Sequence, residues 1–144
     1  MVDLKDSETF RNLLELFSRD AQAAIRYQRF ARTAEYEDCR ELAELFRRLA
    51  ENEALYAQGH LDFLRSVCDP ISRQPFGHTV DNVAAALASE TEDATTICPL
   101  FSRVAEAEGF VDIASWFRSI RASKAAAVSR LDATHRSPTA ATPV

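Results

Sequence analysis

The sequence predicts an all-α protein, an up-down four-helix bundle built from two helical hairpins with a longer connection in the middle. Three observations carry this. Only three of 144 residues are glycine, while Ala, Leu, Glu and Arg, all good helix formers, abound. Apolar residues recur in steps of three and four through four long stretches. The one internal segment rich in turn residues is CDPISRQPFGH at 68–78, with two prolines and a glycine.

Each element follows from local signals. Ser7 is a cap for a first helix over about 7–34, with Phe10 opening its apolar stripe. EYED at 35–38 is a short link, and a second helix covers about 38–66. Thr79 is the expected cap of a third helix running to about 107, where Gly109 stops it. A fourth helix fills about 110–134, which places the bundle at 1–134. The remainder, 135–144, is expected to be a disordered tail. The halves resemble each other, with FARTAEYEDCRELAELFRRLAENE in one and FSRVAEAEGFVDIASWFRSIRASK in the other. A duplicated hairpin is the simplest account.

Bulk properties narrow the function. The net charge is −5, which argues against non-specific nucleic-acid binding, since that relies on excess Lys and Arg. No apolar run approaches the roughly 20 residues of a membrane span. MVDLKDSETF lacks the basic and apolar regions of a signal peptide. A cytoplasmic protein without membrane or nucleic-acid partners is expected. Cys39, Cys68 and Cys98 are odd in number and far apart, so free thiols are expected rather than a disulfide framework or a four-cysteine metal site.

The predicted seams are Phe10, Leu13, Phe17, Asp20, Ala24, Tyr27 and Ala31 on the first helix, then Leu42, Phe46, Leu49, Glu53, Tyr56, His60, Phe63 and Val67 on the second. The third gives Val83, Ala86, Glu90, Asp93, Ile97, Leu100 and Val104, and the fourth Ile113, Phe117, Ile120, Lys124, Ala127 and Leu131. Each seam is interrupted near mid-length by an ionisable residue: Asp20, Glu53, Glu90 with Asp93, and Lys124. Buried carboxylates are costly unless paired, protonated or bound to a cation. The cation is either a metal or the lysine already present. A dimetal bundle needs one Glu from each of two helices and Glu-x-x-His from the other two. Here the histidine slots hold Tyr56 and Ala127, and Lys124 holds a glutamate slot.

These residues resemble the rubrerythrin family of ferritin-like proteins over about 7–131. The stretches that carry it are FSRDAQAAIRYQRFA, LAENEALYAQGHLDFL, NVAAALASETEDATTICPLF and RVAEAEGFVDIASWFRSI. The resemblance implies iron and peroxide-reducing or oxidative chemistry. It puts Asp20 at the first-helix glutamate ligand, Glu53 at a bridging glutamate and Glu90 at the third-helix glutamate. Asp93 stands for a second glutamate, and Tyr27 matches a tyrosine usual near the iron. Many members carry a C-terminal rubredoxin-like domain built on four cysteines, and a member without it is expected.

Two readings of the acidic residues stay open. In one, Asp20, Glu53, Glu90, Asp93, Lys124, Tyr27 and Tyr56 form a core ion-pair network with no catalytic residue and no cofactor, in a homodimer of structural, regulatory or partner-binding role. In the other, Asp20, Glu53, Glu90 and Asp93 still hold iron or another divalent metal and the protein is an oxidoreductase or peroxidase. Tyr56 is expected to be a core phenol, and His60 a part-buried residue too far along its helix to share the site. Trp116 is expected to pack at a helix or subunit interface.

Overall fold

The computed structural model describes residues 1–135; of the tail expected at 135–144, His135 is helical and the rest lies outside the described residues. The described residues are helices and connections, without a strand. The chain divides into two compact units, Met1–Pro70 and Ile71–Val144, and each contains one helical hairpin.

The first unit opens with a single 3-10 turn, Leu4–Asp6. Helix α1 spans Glu8–Tyr36 and α2 spans Arg40–Leu64. Ser7 caps α1 as predicted, its Oγ accepting from the Phe10 amide at 3.1 Å. The two helices pack along their length, but not through the predicted seam. The buried residues of α2 are Ala43, Ala50, Ala57 and Leu64, a strict seven-residue repeat, facing Ala23, Ala24, Ala31 and Ala34 of α1. The expected seam residues Leu42, Tyr56 and Phe63 lie one position earlier and are more than half exposed. Alanines let two helices that turn directly back on each other approach closely, so the larger residues fall on the neighbouring face. Tyr56 lies beside this alanine contact rather than in it, 54% exposed.

In the second unit, α3 spans Thr79–Glu92, a π turn follows at Asp93–Ile97, and α4 spans Cys98–Ala107. Helix α5 covers Val111–His135. Helices α3 and α4 and the π turn all pack on α5. The continuous third helix predicted over 79–107 is thus interrupted, and the sequence signal for it is Pro99, which lacks the amide hydrogen an α-helix needs. Thr79 is the first helical residue rather than the cap. His78 occupies the cap position without a side-chain bond, and Asn82 Oδ1 reaches back to accept from the Gly77 amide at 2.6 Å.

The duplication extends to the hydrogen bonds of the turns. In the first hairpin the Cys39 amide donates to Ala34 O and the Asp38 amide to Glu35 O. In the second the Phe110 amide donates to Ala105 O and the Gly109 amide to Glu106 O. Both are the paired closure that ends a helix through a left-handed residue, here Asp38 at φ 62° and Gly109 at φ 87°. Ala34 and Ala105 lie 71 positions apart, and the same offset relates other contacts. Phe30–Phe46 and Phe101–Phe117 are ring pairs at 5.6 and 6.2 Å. Glu35–Arg47 and Glu106–Arg118 are ion pairs at 3.6 and 3.7 Å.

Gly109→Ala meets no atom within 4 Å of the new Cβ, so its penalty is the left-handed backbone alone. It is expected to cost about 1–2 kcal/mol in urea unfolding. Asp38→Gly, at the equivalent turn, is expected to be close to neutral. Equal effects at the two positions would mean that the turns are not conformationally equivalent.

Candidate functional site

The charged seam residues fall into two groups, one in each unit. In the second unit Lys124, at mid-length of α5, sits beside the junction of α3 and the π turn. Its Nζ is 2.9 Å from Asp93 Oδ2 and 3.5 Å from Glu90 Oε1. Asp93 is the first residue of the π turn, and Glu90 lies three residues earlier on α3. All three side chains are between a quarter and a third exposed. The Asp93 hydrogen bond, reinforced by the charges of Asp93 and Glu90, raises the Lys124 ammonium above its usual pKa of 10.5 against the opposing effect of burial. An open groove runs beside the pair, lined by Glu90, Trp116, Ser119, Ile120, Ser123 and Lys124. Trp116 stands 63% exposed at this groove.

One turn before Lys124 on the same helix, Arg121 Nε donates to Ala94 O at 3.2 Å. Two cations of α5 thus grip the π turn, one by a backbone carbonyl and one by a carboxylate. The seam pattern does not single out Arg121. Its signal was the spacing of three from Lys124, which puts both on one helix face.

In the first unit Asp20 is paired, but with a residue the sequence reading set aside. His60 Nε2 lies 2.7 Å from Asp20 Oδ2, with both side chains largely covered. Distance from Glu53 along α2 says nothing of this contact, which reaches across to α1. Glu53 shares a polar groove with Arg19, Asp20, Gln22, Arg26 and Tyr27. Tyr27 belongs to an aromatic cluster, with its ring centroid 6.0 Å from Phe30 and 6.2 Å from Phe46. The Arg26 guanidinium lies 5.6 Å from the Tyr27 centroid and 5.7 Å from that of Phe30, within cation–π range. Tyr56 is 54% exposed. Within neither hairpin, among the described residues, do three or more His, Cys, Asp or Glu side chains group as a metal would require. Cys39, Cys68 and Cys98 are free thiols, as expected.

The Asp20–His60 contact makes a direct prediction. In a double-mutant cycle with Asp20→Ala and His60→Ala, the coupling energy is expected to be about 1.5–3 kcal/mol, the range for a hydrogen bond involving a charged group. Additive effects would mean that the pair does not form in solution.

Comparison with known proteins settles the family. The sequence signature described as Rubrerythrin matches residues 12–123. The chain belongs to the rubrerythrin family. Its relatives include the rubrerythrin of Porphyromonas gingivalis, 36% identical over 121 residues, covering 81% of this chain and 60% of that protein. Rubrerythrin-1 of Clostridium acetobutylicum is 33% identical over 130 residues, covering 85% of this chain and 67% of the relative. The rubrerythrin of Nitratidesulfovibrio vulgaris is 32% identical over 124 residues, with 83% and 65% covered. The chain therefore spans about three fifths to two thirds of the length of these rubrerythrins. The all-helical, ferritin-like fold class expected from the sequence is the fold class of this rubrerythrin-family chain. The matched region takes in Asp20, Glu53, Tyr56, Glu90 and Asp93 and stops one residue before Lys124. Among the described residues, no helix is long and apolar enough to cross a membrane.

Proposed function

We propose that this is a rubrerythrin-family protein in which a lysine–carboxylate ion pair stands in place of the iron centre, and that its role is structural, regulatory or partner-binding rather than oxidative. The observation that supports this reading is the 2.9 Å contact between Lys124 Nζ and Asp93 Oδ2, with Glu90 beside it. An ammonium at that distance uses the lone pairs a divalent cation would need and repels the cation itself. The donor set points the same way. Tyr56 and Ala127 occupy the slots that the family fills with histidine, so the two imidazoles that suit iron are missing. These residues do not fit a paired iron centre.

The reading includes a homodimer. Trp116 is the large exposed side chain beside Lys124, and a second subunit covering it would further desolvate the ion pair. Sedimentation equilibrium tests this part: a monomer at micromolar concentration overturns it.

One observation favours a second reading, a metal-dependent oxidoreductase or peroxidase. Lys124 is 28% exposed and borders an open groove, so its side chain has room to swing out and free Glu90 and Asp93 for a cation. Membership of a family that normally binds iron agrees with that reading. Metal analysis of the purified protein separates the two. Far less than one iron per chain supports the first reading. About two per chain, with an oxo-bridged absorbance band, sinks it.

A further inference from the structure

We infer that Arg121 is the positioning residue of the Lys124 site: its guanidinium holds the π turn in place and thereby keeps Asp93 within reach of Lys124. The inference rests on the reading that Lys124 and its two carboxylates are the working unit.

The chain of causes starts at Pro99, the second residue of α4. In an unbroken α-helix the nitrogen of residue 99 would face the carbonyl of Thr95. Proline has no hydrogen to offer there, and its ring clashes with that carbonyl. The π turn relieves the clash by one extra residue. The Cys98 amide then reaches back five positions to Asp93 O, and the nitrogen of Pro99 falls to the carbonyl of Ala94, again without a hydrogen. Ala94 is buried, 4% exposed. A buried carbonyl without a donor is destabilising. Arg121 Nε supplies the missing donor at 3.2 Å.

The first hairpin serves as an internal control. At the offset of 71 that relates the two turns, Pro99 corresponds to Gln28 and Arg121 to Ala50. Helix α1 runs there without a π turn. The proline, the extra residue and the arginine thus occur together in one hairpin and are all absent from the other.

The extra residue also has a directional effect. Reverting to α geometry would rotate everything before the turn by about 100° relative to α4. Glu90 and Asp93 would then leave the side facing α5. Lys124 is three residues after Arg121 on α5, so the residue that supports the turn and the residue that uses its product share a face.

The test is NMR on the full chain. The first readout is hydrogen exchange of the Lys124 ammonium, and the second is the backbone carbon shifts of residues 93–97. Arg121→Met is expected to speed ammonium exchange about tenfold and to shift the 93–97 signals. Arg121→Lys, which keeps a donor, is expected to recover part of both. Pro99→Ala combined with Arg121→Met supplies a backbone amide at position 99. That variant is expected to melt as the wild type does while the Lys124 ammonium stays unprotected, an outcome that a purely structural arginine would not produce. It also serves where Arg121→Met alone fails to fold. Wild-type exchange and unchanged shifts in a folded Arg121→Met protein overturn the inference. A wild type whose Lys124 ammonium is unprotected would overturn the lysine–carboxylate reading instead, and the 93–97 shifts would still decide the role of Arg121.

Discussion

Tyr56→His, Lys124→Glu and Ala127→His, introduced together, are expected to raise the iron bound to the chain to about two per molecule. The three changes restore the Glu-x-x-His pattern on α2 and on α5, while Asp20, Glu90 and Glu53 keep their carboxylates. The dominant step is Lys124→Glu. It removes the ammonium from Asp93 and Glu90 and adds a carboxylate, a swing of two charges beside any cation. The other two changes supply nitrogen ligands that favour iron over harder cations. Iron is read by elemental analysis after anaerobic loading and desalting, and by the absorbance of an oxo-bridged pair. Lys124→Met serves as the intermediate case: it lifts the repulsion without adding a ligand and is expected to stay low in iron. A triple variant that folds and takes up no iron would show that the slots have been assigned wrongly. A wild type that already holds about two irons would remove the premise.

Lys124→Met by itself is expected to cost about 1–3 kcal/mol near neutral pH. The range lies between the small value of an exposed pair and the 3–5 kcal/mol of a fully buried one, because the three side chains keep a quarter to a third of their exposure. The sequence alone suggested the upper value, since it placed the whole group in the core. The pH dependence has a definite sign. Lys124 is raised above 10.5 in the folded protein, chiefly by its hydrogen bond to Asp93. The folded state therefore holds that proton more tightly than the unfolded chain, so the stabilisation is complete below pH 10.5 and is lost as pH climbs through the folded value. Melting curves of wild type and variant should be furthest apart near neutrality and converge above pH 10.5. A constant gap across that window would assign the effect of the substitution to packing. No gap at neutrality would mean that Lys124 points to solvent.

His60 and Arg121 show what a single-helix reading misses. Both sit on helices whose periodicity was plain, and both matter through a partner on another helix. His60 was measured against Glu53 on its own helix, although its partner Asp20 is 40 residues away in the chain. Arg121 lies outside the seam pattern, and its partner is a backbone carbonyl that a proline 22 residues earlier leaves without an amide donor. The closest contact within the first hairpin has a related cause. Periodicity selects a face by its bulk, and bulky residues did mark a real face. It could not tell which of two adjacent apolar stripes a hairpin closes on, and the closest approach chose the alanines.

What the sequence determined by itself is the set of elements and their repetition. Helix-forming composition, a cap at Ser7, a helix stop at Gly109 and turn residues at 68–78 are local properties of the backbone, legible wherever the chain is cut. The ionisable residues at mid-helix were legible too, because an apolar pattern makes each interruption visible. Pairing was decided by tertiary structure. Lys124 takes Asp93 and Glu90, Asp20 takes His60, and Arg121 takes the carbonyl that Pro99 leaves without a donor. The physical reason is range. Capping and turn preferences act over a few residues, whereas ion pairs and buried carbonyls are satisfied by whichever side chain packing brings within about 3 Å, and sequence distance places no limit on that.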